Sequence, residues 1–145
     1  MKCFPLLRYM TALVLGVVFF VSACQSGPLE ISPDFSPAEL IQRAQEASDK
    51  NRYNTALQYY QAILDQYAGN FDLICTAEYE IAFIHYKQKK YETARQEFND
   101  LLDRYNTPDQ ELLPQQFKKL ARIVLEQITE KEKPRRFFPK KTAGS

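Results

Sequence analysis

The 145-residue sequence predicts an all-α fold: two helix-turn-helix repeats and a C-terminal capping helix, together a short α-solenoid. Three observations predict it. Residues 44–67 align without a gap on residues 82–105 at an offset of 38, with 8 identities in 24 positions; average composition yields about one or two. Within each copy the apolar residues recur at spacings of 3 and 4, the signature of one apolar stripe on a helix. Glycine is scarce, at 4 in the whole chain, which leaves little for the tight turns of a β-rich fold and none for a phosphate-cradling loop.

Composition narrows the function classes. Hydrophobic residues make up 45% and charged residues 26%, and 10 Phe with 9 Tyr supply enough apolar surface for one globular domain. Of the three cysteines, Cys3 and Cys24 lie in or at the end of an N-terminal apolar segment. Cys75 is alone in the body of the protein, so no disulfide scaffold is expected. His85 is the one histidine, which rules out a Cys/His metal site of ordinary ligand count. No metal and no cofactor are expected.

Residues 1–23 read as a secretory signal. Lys2 and Arg8 form a basic start, and Tyr9 to Val21 is an apolar run shorter than the roughly 20 residues of a membrane-spanning helix. Val21-Ser22-Ala23-Cys24 then resembles the bacterial lipobox. That resemblance implies cleavage before Cys24, a diacylglycerol on its thiol and acylation of the new amine. Cleavage removes Lys2 and Arg8 and leaves 17 basic and 18 acidic side chains, a net charge of −1 that speaks against nucleic-acid binding. Residues 24–35 follow as the lipidated cysteine and a Ser/Gly/Pro-containing tether.

The repeat domain spans 36–132. Its first copy covers about 37–68, where Ser36 caps, Pro37 takes the first helical position and Glu39 completes a capping box. Tyr53, Ala56, Tyr60, Ile63, Leu64 and Tyr67 form the stripe of its second helix. The second copy covers about 75–106. Ala77, Ile81, Ala82 and Ile84 lie on its first helix, and Tyr91, Ala94, Phe98, Leu101, Leu102 and Tyr105 on its second. A capping helix over about 115–132 carries Phe117, Leu120, Ala121, Val124, Leu125 and Ile128 on one face. Residues 133–145 are expected to be a disordered tail with two prolines and five basic residues, which either touches anionic headgroups through Phe137 and Phe138 or is simply solvated.

These residues resemble the tetratricopeptide repeat over about 37–106. Ala44 and Ala82 match its small residue in the first helix, Tyr53 and Tyr91 its aromatic at the start of the second, Ala56 and Ala94 its second small residue, and Tyr60 and Phe98 the aromatic that follows. Small residues let helices approach closely, and the aromatics fill the gap between repeats. The departures are a period of 38 instead of the usual 34, Leu40 and Glu78 where the family usually has Trp, and no Pro directly closing either repeat.

No nucleophile–base pair or other catalytic constellation occurs, so an enzyme is not expected. His85 and Cys75 read as packing residues. The resemblance implies that the first helix of each repeat lines a concave groove, which places Thr76, Tyr79, Phe83, Tyr86 and Lys87 there. Two outcomes stay open: Tyr79, Phe83 and Tyr86 anchor a bound peptide together with Lys87, or the capping helix covers the aromatics as core.

Lipobox and repeats together resemble the accessory lipoproteins of outer-membrane β-barrel assembly, the BamD type. The resemblance implies a lipid-anchored adaptor that faces the periplasm and binds protein partners, with the barrel-assembly machinery among them. The alternative is a generic periplasmic scaffold for a cell-wall, division or transport complex. No nucleic acid or small-molecule substrate is expected. Gln25 and Ser26 lack the acidic residue that holds some lipoproteins at the inner membrane, which favours the outer membrane.

Overall fold

A computed structural model describes residues 31–133. The signal segment, Cys24, most of the tether and the tail beyond residue 133 lie outside the described residues. Five α-helices and one 3₁₀ turn make up the described chain, with no strand among those residues. They are α1 (Pro37–Asp49), α2 (Tyr53–Gln66), α3 (Phe71–Lys87), α4 (Tyr91–Arg104), the 3₁₀ turn Pro108–Leu112 and α5 (Gln115–Glu132).

Local chemistry sets the starts. At α1 the Glu39 N–H donates to the Ser36 Oγ at 3.4 Å, and the Ser36 N–H donates to the Glu39 carboxylate at 2.9 Å. Both arms of the capping box are therefore made, and the Ser36 groups hold the Glu39 carboxyl below its ordinary value. α3 begins at Phe71, before the expected repeat boundary near 75, because the Asn70 side chain accepts from the Leu73 N–H at 3.1 Å.

The two inter-helix turns share one backbone solution. Asn51 has φ 56° and Lys89 φ 62°, and they stand 38 residues apart. In each turn two N–H groups fold back on the preceding helix. Asn51 and Arg52 donate to Ser48 and Ala47 carbonyls, and Lys89 and Lys90 to those of Tyr86 and His85. This left-handed closure satisfies carbonyls that the helix end leaves unpaired.

The helices stack in chain order, α1 on α2, α2 on α3, α3 on α4 and α4 on α5, and α5 also touches α3. The chain is thus two helical hairpins with a fifth helix laid against the second. Ala44, Ala56, Ala82 and Ala94 are all fully buried where helices cross closely. Tyr60 and Phe98 fill equivalent positions in the two repeats and are also fully buried. The repeats diverge at one linked pair. Leu40 is buried in α1, whereas the equivalent Glu78 of α3 meets Arg104, whose Nε donates to its carboxylate at 2.7 Å. Gln66 stands at the position equivalent to Arg104, so the first repeat has neither member of this ion pair. Tyr105 fastens α5: its hydroxyl donates to the Pro114 carbonyl at 2.8 Å.

Candidate functional site

The expected groove residues all stand on α3, and the structure divides them. Tyr79, Phe83 and Tyr86 form a ladder along one face of the helix. Tyr79 and Phe83 stack at 5.8 Å with an interplanar angle of 12°, and Phe83 and Tyr86 stack at 5.7 Å. Tyr91 at the start of α4 extends the ladder, 5.9 Å from Tyr86.

α5 lies over both ends of this ladder. Phe117 comes within 5.5 Å of Tyr79, which also meets Phe98 at 5.6 Å. Tyr79 is only 9% exposed, so it is core and offers no free face to a ligand. At the other end the Tyr86 hydroxyl donates to Gln127 Oε1 at 2.9 Å, and Lys131 stands 5.7 Å over the Tyr86 ring. Of the two outcomes left open by the sequence, cover by the capping helix holds for Tyr79. The physical reason is the stripe of α5, whose Phe117, Ala121, Val124 and Ile128 need an apolar surface and find it on α3 and α4. Phe83 and Tyr86 are half-buried and keep part of their surface. Thr76 bonds back to its own helix, its hydroxyl donating to the Asp72 carbonyl at 2.7 Å.

Lys87 joins three elements. Its ammonium donates to the hydroxyl of Ser48, a buried residue near the end of α1. It also lies 5.5 Å from the Tyr53 ring of α2 and 5.4 Å from the Phe83 ring of its own helix. Glu80, Phe83 and Lys87 are spaced by 3 and 4, one stripe along α3. Burial pushes the half-buried Glu80 carboxyl up; Lys87 opposes this and Asp49 adds to it. Beneath them the Tyr60 hydroxyl is buried without a hydrogen-bond partner. Burial, then the charges of Glu80 and Asp49, push its phenol far above the ordinary value. The side of α3 that faces α1 is therefore a mixed polar and aromatic strip: Glu80, Phe83 and Lys87, flanked by Asp49 and Tyr53.

Ser48, Asp49 and Glu80 were not among the residues expected from sequence. Ser48 looks like an ordinary helix-end serine, and its partner lies 39 residues away. The one available signal was the i, i+3, i+7 stripe of Glu80, Phe83 and Lys87.

His85 is structural: its Nδ1 stands 2.7 Å from the Glu97 carboxylate on α4. Cys75 is fully buried, and burial pushes its thiol up, away from the reactive thiolate. Among the described residues no group of three or more His, Cys, Asp or Glu side chains stands ready to hold a metal. No helix among them is long and apolar enough to cross a membrane.

No protein-family model matches the chain, and no solved structure matches it. A protein of Treponema pallidum (strain Nichols), described as uncharacterized, is similar to it, with 37% identity over 117 residues. The alignment takes in 79% of this chain and 46% of the Treponema protein, so the chain spans about half the length of that relative.

Proposed function

We propose that the chain is a protein-binding adaptor of the bacterial envelope, held at the membrane by lipid on Cys24 and presenting its helical repeats to a partner. The observation that carries this is the strip on α3 facing α1. Glu80 is a half-buried carboxylate with no ion pair among the described residues, Phe83 keeps an accessible edge, and Lys87 is already fixed by Ser48. Side chains held in place in this way lose little further conformational freedom on binding. An accessible aromatic side chain seated among fixed polar groups is a common anchor for a bound partner. The signal segment followed by Val21-Ser22-Ala23-Cys24 supports the lipid anchor, and the bacterial source of the relative agrees with a bacterial leader.

The cover of Tyr79 takes that end of the aromatic ladder out of the binding strip and shifts the strip towards α1, with Phe83 as the ladder residue it keeps. It leaves a barrel-assembly partner and another envelope complex as two outcomes of one experiment. The full chain is purified with a C-terminal tag in mild detergent from its own membranes, and what accompanies it is identified by mass spectrometry. A partner in near-stoichiometric yield is expected, and it is lost in Phe83→Ala. A barrel-assembly subunit identifies the assembly role and a different complex the scaffold role. A chain that purifies alone, or a partner that Phe83→Ala retains in full, overturns the α3 strip as the binding surface.

A further inference from the structure

The outer face of α5 is the surface that neither the fold nor the proposed strip uses. Ile123 is exposed on it at 41%, and Leu120, expected on the covered stripe, stands at its flank and is exposed at 39%. Ile123 lines a shallow groove of about 290 Å³ together with Gln115, Lys118, Lys119, Arg122 and Glu126. Lys119, Ile123, Glu126 and Glu130 follow one another at spacings of 4, 3 and 4, one stripe along the helix.

The charge order along α5 runs against its own dipole. A helix favours acids at its N-terminus and bases at its C-terminus. α3 and α4 obey this, with Asp72 and Glu92 in their first turns and Lys87 and Arg104 in their last. α5 has no acid in its first turn and no side-chain cap. Lys118, Lys119 and Arg122 occupy its first half, while in its second Glu126, Glu130 and Glu132 outnumber Lys131, the one base of its last turn. Neighbours account for part of this. Lys118 lies over the Tyr105 ring, Glu130 pairs with Lys133, and Glu132 pairs with Arg95. Lys119, Arg122 and Glu126 have no ion pair among the described residues.

A basic half followed by an acidic half is complementary to itself when reversed. We propose that α5 docks antiparallel on α5 of a second copy of this chain. A two-fold axis near Ile123 sets Lys119 and Arg122 of one copy against Glu126 of the other, and Leu120 and Ile123 close the apolar centre. Each contact occurs twice, as an isologous interface requires, and the two helix dipoles oppose. A parallel pair sets like charges together. One helix face is well short of the roughly 1,600 Å² of a standard interface, so the dimer is reversible and in the micromolar range or weaker. The proposal is independent of the partner strip on α3.

A residue beside a two-fold axis crosslinks to its own copy. The full chain carrying Ile123→Cys is oxidised in its own membranes and run without reductant, beside the parent chain and beside Glu92→Cys, an exposed site on α4. A band of twice the chain mass, abolished by reductant, is expected for Ile123→Cys alone. Adding Lys119→Glu lowers that band roughly fivefold, the effect of about one exposed ion pair per copy, and adding Glu126→Lys as well restores it. The absence of a dimer band, a crosslink to a protein of another mass, an indifferent Lys119→Glu or a failed restoration each overturns the antiparallel dimer.

Discussion

Lys89 holds a left-handed backbone at φ 62°, where a Cβ costs energy and glycine does not. Its counterpart Asn51 is a residue type that tolerates this conformation, and its side chain accepts from the Tyr53 hydroxyl at 2.7 Å. Lys89→Gly is therefore expected to stabilise the fold by about 0.5–1 kcal/mol, read as a higher urea midpoint with an unchanged slope. Glu80 gives a pH test. Its folded carboxyl is raised by burial, so folding is penalised when the group is ionised. The penalty is absent below the ordinary carboxylate value and sets in as pH rises through the window above it. Glu80→Gln should raise stability at pH 7, and the gain should vanish as the solution approaches pH 4; a gain that is constant with pH contradicts the burial of this carboxyl.

At the scale of the elements, the 38-residue offset carried the repeat. The alanines that it aligns in both copies are the ones found fully buried at helix crossings. The aligned tyrosines Tyr67 and Tyr105 both donate to carbonyls of flanking chain, those of Phe35 and Pro114. The offset also marked Glu78 as a departure from Leu40, but not its remedy. Arg104 lies 26 residues away on the next helix, a relation fixed by helix packing and absent from local pattern. A double-mutant cycle on Glu78→Gln and Arg104→Gln is expected to give a coupling of about 0.5–1 kcal/mol, in keeping with a partly exposed pair. The fate of Tyr79 was likewise open, because an aromatic stripe suits a groove and a core equally. What decides it is the side on which α5 lands.

For the whole molecule, two hairpins are fewer than a solenoid usually needs, and α5 supplies the missing cover. Its Ala121 and Ile128 are fully buried in one cluster with Tyr79, Phe98 and Tyr105. Ile128→Ala should cost about 2–4 kcal/mol. The loss should appear at the same denaturant concentration by far-UV and near-UV signals, because the aromatic ladder and the helices melt together. Separate transitions would mean that α5 is an appendage and that the hairpins stand without it. The cover of Tyr79 also leaves the strip between α1 and α3 as the face we propose to meet a partner. The most direct test places a photo-crosslinking amino acid at Asp49, exposed beside Ser48 on that strip, and in a second chain at Gln96, exposed on α4. Irradiation of intact cells is expected to give one discrete adduct from Asp49 and none from Gln96. Equal adducts from both positions, or none from Asp49, contradict a partner-binding strip between α1 and α3.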